Sequence, residues 1–306
     1  MKILIGQNHL DTLGGSETFT YTLIKGMLEL GHEVELLCGQ PNRIGIMSNK
    51  IKQDFDINVN VLKGEYDLCL MSHQSSVRAL YNMMNHHPEL KINPDNIYQI
   101  CHGSIPIEEQ PVLIPGLQYI CISEEVQKHL KSFNLESKVI FNPIDLDRFK
   151  FIEPKDKVES IFSLSQSNTF NSMLKGVCDK MGIKFTYNNK FTNPIFDVEK
   201  VIAEHDMVFS LGRGCYEAMA MGKNVVVADH RPYQDSYSDG ILNNINFHFF
   251  MQNNCSGRYS MTETTVELIE KSIKRYDPNN SRALRKIAED EFDMIKQCKK
   301  FEELAI

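Results

Sequence analysis

Residues 212–223 read GRGCYEAMAMGK and are followed almost at once by three valines at 225–227. Gly212 and Gly214 predict a loop, the residues after them predict a short helix that opens beside Glu217, and the β-branched run predicts a buried strand. A glycine loop that leads into a helix presents backbone N–H groups and the positive end of the helix dipole, and both favour a phosphate group. The stretch therefore predicts an α/β unit with a nucleotide pocket at the start of this helix.

Short apolar runs alternate with helical patterns over both halves of the chain, which predicts parallel sheets covered by helices. A helix with Phe19, Leu23 and Met27 at 3.6-residue spacing follows the first strand and ends at Gly31. The predicted strands are Lys2–Gly6, Glu33–Cys38, Asp67–Ser72, Tyr98–His102, Tyr119–Ser123, Lys138–Phe141, Ser160–Leu164, Lys184–Tyr187, Met207–Ser210 and Val225–Ala228. The expected fold class is α/β, with two Rossmann-like domains whose parallel sheets face each other across a cleft.

The predicted division between the two domains lies where this pattern is interrupted. Pro143 and the polar run at 153–157 break it, and a second alternating series begins afterwards. A chain of 306 residues is long enough for two domains that each bury a core. We expect an N-terminal domain over 1–148, a C-terminal domain over 149–280, and a last helical segment over 281–306 that crosses back to the first domain.

Charge and composition narrow the class of protein. The net charge of −7 argues against a general binder of nucleic-acid backbones, which usually carries a basic face. The sequence has no apolar run near the ~20 residues that span a bilayer, and its first residues predict a strand and not a signal peptide. The eight cysteines include no Cys-x-x-Cys pair. We expect buried free thiols and a cytoplasmic protein.

The first loop ends in Gly14, Gly15 and Ser16, immediately before the first helix. The two glycines let backbone amides approach a ligand closely, and the helix start behind them favours an anion. The other interpretation is a flexible turn in which Ser16 caps the helix. The residues alone do not separate the two.

His102 follows the predicted strand residues Tyr98–Cys101 and precedes Gly103. This position is the carboxyl edge of a parallel sheet, where ligands bind in open α/β folds. A lone histidine is more often a structural residue, but His102 is the best single candidate for a polar contact to a substrate. Near the C-terminus, Arg258 lies in a turn-forming stretch and offers a further cation.

In the quoted stretch, the Glu217 carboxylate is placed to accept hydrogen bonds from a ribose diol. The amides around Gly212 and Gly214 are placed to cradle a diphosphate, and Arg213 would neutralise its charge. The alternative is structural, with Glu217 complementing the helix dipole and the small residues Ala218 and Ala220 packing on the sheet.

Taken together, these segments resemble the retaining family 4 of GT-B glycosyltransferases. That family commonly shows a glutamate followed by Ala-Met-Ala-x-Gly-x-x-Val-Val, a Gly-Gly pair near a glutamate, a helix that ends in Gly-His-x-Val, a histidine at a strand end, a serine that opens a helix, and Asn-Gly-Val-Asp with a phenylalanine four residues on. The matching segments here are 217–227, 14–17, 31–34, His102, Ser123 and 142–149. The resemblance follows the segment order of the whole chain but rests on about five short motifs.

The resemblance implies transfer of a hexose from a UDP- or GDP-sugar to an acceptor hydroxyl with retention, so the nucleotide sugar would be a co-substrate and no cofactor is expected. UDP-glucose is one such donor. The first domain would hold the acceptor and the second the nucleotide sugar. The implied catalytic residues are His102, Arg213 and Glu217. The implied donor-binding residues are Gly14, Gly15, Ser16, Lys175, Gly212, Arg213, Gly214, Cys215 and Glu217.

The chain departs from the family pattern at three places. Pro143 replaces the usual linker glycine and stiffens the linker. Family members carry an arginine and a lysine around the first strand and helix of the second domain, whereas residues 163–174 here contain no cation before Lys175. The loop before Glu217 is short and lacks a second glutamate. Arg213 would therefore act alone or together with Lys175 or Arg258.

Two Asp-x-Asp pairs match a metal motif of the other major glycosyltransferase fold: Asp145 with Asp147, and Asp54 with Asp56. Because such motifs are short, and because Asp145 is explained by the linker pattern, we expect metal-independent chemistry.

Three alternatives stay open at this point. A nucleotide-sugar epimerase shares the two-domain fold. A catalytically reduced protein would bind the donor without transfer. A viral enzyme that glycosylates a hydroxymethylated DNA base fits the richness in Asn, Lys and Ile, although the acidic charge opposes a large DNA surface. The acceptor is thus a glycan, a lipid, a small molecule or a modified DNA base.

Overall fold

The computed structural model describes residues 1–190, 192–233 and 235–305. Its contacts divide the chain into an N-terminal unit, formed by residues 1–143 and the segment from Met294 onward, and a C-terminal unit, Ile144–Asp293. The sequence placed the boundaries after residues 148 and 280, whereas the contacts place them after Pro143 and Asp293.

The secondary structure alternates between strands and helices in both units. In chain order the described strands are β1 (Lys2–Gln7), β2 (Glu33–Cys38), β3 (Glu65–Tyr66), β4 (Leu68–Ser72), β5 (Lys91–Ile92), β6 (Ile97–Cys101), β7 (Gln118–Cys121), β8 (Lys138–Val139), β9 (Ser160–Ser163), β10 (Lys184–Tyr187), β11 (Met207–Ser210), β12 (Asn224–Asp229) and β13 (Tyr237–Ile241). The α-helices are α1 (Gly15–Glu29), α2 (Ile46–Phe55), α3 (His73–His86), α4 (Glu124–Lys131), α5 (Asn168–Met181), α6 (Val198–Ala203), α7 (Arg213–Ala220), α8 (Phe247–Gln252), α9 (Val266–Lys274), α10 (Asn280–Glu291) and α11 (Met294–Glu302).

The N-terminal unit contains a six-stranded parallel sheet in the order β2-β1-β4-β6-β7-β8. The strand order reverses between β1 and β4, because β2 lies on one side of β1 and the later strands lie on the other. Such a reversal opens a crevice at the carboxyl ends of the two strands. Gln7 and Ser72 end these strands, so the residues beside them lie where ligands bind in this kind of fold.

The C-terminal unit contains a five-stranded sheet in the order β10-β9-β11-β12-β13. The first four strands are parallel, and β13 pairs with β12 in the antiparallel sense. The sequence predicted only parallel strands and missed β13, whose connection to β12 is too short for the crossover that a parallel pairing needs. The strand order reverses between β9 and β11, so the start of α7 lies at this reversal.

Helix α1 forms where apolar residues recur at helical spacing. Phe19, Leu23 and Met27 are buried, and Gly31 with φ of 83° follows the helix end, as the sequence predicted. Helix α11 packs on α1 within the N-terminal unit. A Cβ atom on Gly26 would lie 2.4 Å from Cys298 Sγ, so the close approach of the two helices requires glycine there.

The last helical segment, predicted over 281–306, consists of two helices, α10 and α11, with a break between them. Phe292 causes the break: its ring stacks on Tyr216 of α7 with centroids 4.1 Å apart, and its carbonyl accepts a hydrogen bond from Ile144 N at 2.7 Å. Phe292 is thus held at the end of α10 by segments that are distant in the sequence. The same ring contact holds α7 against the last helix of the C-terminal unit.

Candidate functional sites

His102 lies at the carboxyl edge of the N-terminal sheet, directly after β6, and three side chains fix its ring. Its Nε2 is 3.0 Å from Ser72 Oγ. The ring of Phe19 meets it edge-on with centroids 4.8 Å apart, and the ring of His73 stacks on it at 5.1 Å with 22° between the planes. His102 is half-buried, so it combines a fixed orientation with access to a ligand.

His73 is the first residue of α3 and is buried beside His102. Its Nδ1 lies 3.1 Å from Gln7 Oε1, and this contact spans the reversal between β1 and β4. Burial lowers the pKa of His73 to about 4, so the imidazole is neutral at pH 7.

The Gly14-Gly15 loop opens α1, but Glu17 occupies part of the space beside it. Gly14 is the N-cap of α1, no side chain caps this end, and Ser16 lies within the first turn. The Glu17 carboxylate is 2 % exposed and accepts hydrogen bonds from Thr12 Oγ1 at 2.9 Å and Ser16 Oγ at 3.1 Å.

The two glycines of this loop differ in their surroundings. A Cβ atom on Gly14 would lie 2.4 Å from Glu17 Oε2, whereas one on Gly15 would meet nothing within 4 Å. His9 Nδ1 lies 3.1 Å from Glu17 Oε1 and 2.8 Å from Asp11 Oδ1, so a histidine offsets the carboxylate charge when it is protonated. A Cβ atom on Gly14 would thus displace the Glu17 carboxylate, and an anion-binding role for the Gly15 amide stays a prediction.

In the C-terminal unit, Gly212 and Gly214 have structural roles at the start of α7. Gly212 has a φ of 53°, and its N–H donates to Cys255 O at 3.0 Å. A Cβ atom on Gly214 would lie 2.3 Å from Ser210 Oγ and 2.9 Å from Leu164 Cδ1, at the ends of β11 and β9. These glycines let α7 begin directly against the sheet at the reversal of strand order.

Arg213 and Glu217 contact each other across the first turn of α7. Arg213 Nε lies 2.8 Å from Glu217 Oε1, and the side chains are 7 % and 9 % exposed. Burial lowers the pKa of Arg213, and the Glu217 carboxylate opposes that change. The two residues therefore form one buried ion pair, whereas the sequence analysis gave them separate contacts with a ligand.

The segment 253–258 is anchored on the start of α7. Asn254 and Cys255 adopt φ of 52° and 45°, a backbone region that side chains other than glycine and asparagine rarely occupy. Tyr216 donates from its hydroxyl to Asn254 Oδ1 at 3.1 Å, and the thiols of Cys215 and Cys255 are both buried. Burial raises the pKa of Cys215, which makes it a packing residue and not a reactive thiol.

This segment brings Arg258 to the end of β12, where Asp229 is fully buried. Arg231 Nε donates to both carboxylate oxygens of Asp229, at 3.0 and 2.9 Å, and Arg258 Nη1 lies 3.7 Å from Asp229 Oδ2. Both guanidinium groups thus face the same buried carboxylate. His230 stacks on Phe170 at 3.9 Å beside it, and burial lowers the pKa of His230 to about 4.

The remaining candidates lie outside these clusters. Lys175 is exposed on α5 and pairs with Asp179 at 2.6 Å. Asp145 Oδ1 accepts from the backbone N–H groups of Asp147 and Arg148, both at 3.1 Å, as expected for a turn in the linker. Asp54 accepts from Tyr21 and Lys50, and Asp56 pairs with Lys52. Over residues 1–190, 192–233 and 235–305, no group of three or more His, Cys, Asp or Glu side chains is arranged for a metal ion.

Sequence reasoning missed His73, Gln7, His9 and Arg231. His73 follows the apolar strand β4 in the way that His102 follows β6, so the argument used for His102 also points to His73. The contact of Arg258 with Asp229 joins distant segments, and no local pattern indicates it, whereas Arg231 lies only two residues from Asp229.

Nothing in the described chain indicates a helix long and apolar enough to cross a membrane. All eight cysteines are free and buried, as the sequence predicted.

The two units have the Rossmann-like folds of GT-B glycosyltransferases. A TarM mutant from S. aureus, solved in complex with fondaparinux, alpha-GlcNAc-glycerol and UDP, is similar with a TM-score of 0.61 at 10% identity over 99% of each chain. An alpha-glucosyltransferase in complex with UDP and a 13-mer DNA containing a HMU base has a TM-score of 0.56 at 9% identity, over 100% of this chain and 99% of that one. MurG from Acinetobacter baumannii has a TM-score of 0.51 at 10% identity over 99% of each chain.

No protein-family model matches the sequence, and no curated protein matches it. At 9 to 10% identity the structural likeness shows the fold alone.

Proposed function

We propose that this chain is a hexosyltransferase that uses a UDP- or GDP-hexose and transfers the sugar to an acceptor hydroxyl. Retention of the anomeric configuration and membership of family 4 are parts of this proposal that rest on the sequence motifs. The shared fold supports it, because two of the similar proteins were solved with UDP. Function still has to be argued from the site, since one fold serves many reactions.

The observation that carries the proposal is the state of the Glu217 carboxylate. Its Oε1 is fixed by Arg213, while its Oε2 accepts no hydrogen bond within the described ranges, although the side chain is only 9 % exposed. A carboxylate oxygen that is nearly buried and held in place is suited to accept hydrogen bonds from a ligand diol. We assign this oxygen to the donor ribose.

The pairing with Glu217 changes the role that we give to Arg213. Its charge is already balanced by Glu217, so Arg213 orients the carboxylate and contributes little net charge to a diphosphate. Two further guanidinium groups of the unit, those of Arg231 and Arg258, meet at Asp229. We assign the diphosphate to Arg258 together with the amides at the start of α7, where the helix dipole adds to the attraction.

On the acceptor side, we assign the transferred sugar to His102, and the amides of Gly14 and Gly15 stay candidates for a phosphate contact. Catalysis would come from stabilising the departing diphosphate and from positioning the acceptor hydroxyl. Neither step requires a covalent nucleophile or a metal ion.

A thermal-shift series with UDP, GDP, UDP-glucose and GDP-mannose tests the donor site. A ligand present at 100 times its dissociation constant raises the free energy of unfolding by about 2.7 kcal/mol, which is easily measured. Glu217→Ala should lose the response, and Glu267→Ala, at an exposed glutamate on α9, should keep it. A full response in Glu217→Ala would show that the donor site is misplaced.

Following the donor by chromatography separates the alternatives. Transfer or hydrolysis releases a nucleoside diphosphate, an epimerase changes the sugar without release, and a binding protein does neither.

A hydroxymethylated DNA base is the second candidate acceptor, because a similar structure was solved with UDP and DNA containing a HMU base. Incorporation of labelled glucose into DNA with hydroxymethyluracil, but not into the same duplex with thymine, would support it. Equal absence of label from both duplexes would exclude these DNAs as acceptors.

A further inference from the structure

The turn from β4 into α3 holds a strained residue. His73 has a φ of 70°, in the left-handed region that favours glycine. The other described non-glycine residues with positive φ in the N-terminal unit are Asp56, Asn60 and Asn134, whose short polar side chains suit this region better. Backbone strain of this kind persists where the surrounding structure enforces it, and it is concentrated at functional sites.

The strained backbone places the His73 ring flat against His102. The ring centroids are 5.1 Å apart and the planes differ by 22°, while Ser72, the preceding residue, contacts His102 Nε2 through its hydroxyl at 3.0 Å. Two consecutive residues of one turn thus fix His102, one through a hydrogen bond and one through a ring face. The edge of the Phe19 ring contacts the His102 ring as well.

Gln7 in turn fixes the His73 ring. With the amide oxygen of Gln7 facing Nδ1 at 3.1 Å, Nδ1–H is the donor and the ring cannot rotate without losing this bond. The contact links the ends of β1 and β4, the two strands at which the sheet order reverses. Since burial keeps His73 neutral at pH 7, the two stacked rings do not repel each other.

We propose that His73 is a positioning residue that sets the ring orientation of His102. This inference rests on the proposed function for its catalytic consequence, but the positioning itself is measurable without any substrate. A purely structural role would be served better by asparagine or glycine, which accept the left-handed backbone with less strain.

The test compares His73→Asn with the wild type. Asparagine accepts this backbone and keeps an N–H donor for Gln7, but it removes the ring. We expect a melting temperature equal to or above that of the wild type, together with a change in the ring ¹⁵N shifts of His102 in ¹⁵N-histidine-labelled protein. Asp56→Asn, at an exposed left-handed position that ends α2, should leave the shifts unchanged.

Unchanged His102 shifts in His73→Asn would overturn the inference, whatever the activity. If His73→Asn does not fold, His73→Gly provides the same readout. With a donor that the wild type turns over, kcat should fall on the order of 10- to 100-fold while KM for the donor stays within about twofold. A wild type without turnover would count against the proposed function, and the His102 shifts would still decide the positioning role.

Discussion

Arg213 Nε and Glu217 Oε1 lie 2.8 Å apart on the first turn of α7, with both side chains nearly buried. The pair joins the two residues to which the sequence motif points most strongly. One carboxylate oxygen is thereby fixed, and we propose that the other accepts hydrogen bonds from the donor ribose.

The ion pair predicts how single and double variants of Arg213 and Glu217 change the free energy of unfolding. Glu217→Met leaves a buried guanidinium without its carboxylate, and we expect the free energy of unfolding to fall by about 3 kcal/mol or more. Arg213→Met combined with Glu217→Met removes both charges and should recover much of that loss. Urea denaturation of the single and double variants measures this coupling, and strictly additive losses would contradict the pairing.

Gly15, at the start of α1, and Gly214, at the start of α7, should differ in how well they tolerate replacement by alanine. Gly214→Ala would place Cβ 2.3 Å from Ser210 Oγ and 2.9 Å from Leu164 Cδ1, and we expect it to lower the free energy of unfolding by about 1–3 kcal/mol. Gly15→Ala meets open space and should change it by less than about 1 kcal/mol. Denaturation midpoints provide the comparison, and an equal effect at both sites would show that the packing at Gly214 is misjudged.

The buried histidines predict a loss of stability in mild acid. The pKa of His73 and that of His230 are each lowered to about 4, chiefly by burial, while an unfolded histidine titrates near 6.5. Between these values the unfolded chain binds more protons than the folded chain. The neutral buried histidines therefore contribute fully to the free energy of unfolding above about pH 6.5, and this contribution is lost as the pH falls towards 4. For His73 the loss is on the order of 3 kcal/mol.

Urea midpoints at several pH values in this window check the prediction. His230→Phe keeps a ring against Phe170 but cannot take up a proton, so its midpoint should depend less on pH. His86→Gln, at an exposed position, should follow the wild type. A wild-type midpoint that does not change between pH 7 and 5 would contradict the burial argument.

Metal independence predicts that a chelator leaves product formation unchanged. Asp54 and Asp56 already pair with protein side chains, and the Asp145 carboxylate accepts from two backbone N–H groups, so neither pair is arranged as an open metal site. Activity that is lost in chelator and restored by Mg²⁺ or Mn²⁺ would refute this part. Proton NMR of the same product gives the anomeric configuration, and the family 4 motifs predict retention.

Local patterns in the sequence were sufficient for the parts of the fold that depend on neighbouring residues. Strand ends at Ser72 and Ser210 follow from short apolar runs, and α1 follows from the spacing of Phe19, Leu23 and Met27. The i, i+4 spacing of Arg213 and Glu217 also predicts an ion pair on a helix, although the motif drew attention to ligand contacts instead.

Other features depend on contacts between residues that are far apart in the sequence, so local patterns do not predict them. The break at Phe292 arises because its ring packs on Tyr216 and its carbonyl bonds Ile144. The left-handed backbone of His73 and the contact of Arg258 with Asp229 are likewise imposed by tertiary packing. These are the places where packing overrides local preference.

In the proposed donor site, a nucleotide diphosphate binds beside the start of α7 and Arg258. Calorimetric titration with UDP and with GDP tests this directly, using the wild type, Arg258→Met, and Lys157→Met at a highly exposed lysine as a control. We predict that the wild type and Lys157→Met bind one of the nucleotides equally well, and that Arg258→Met binds it at least about tenfold more weakly. Failure of both nucleotides to bind the wild type, or equal binding by Arg258→Met, would contradict the account.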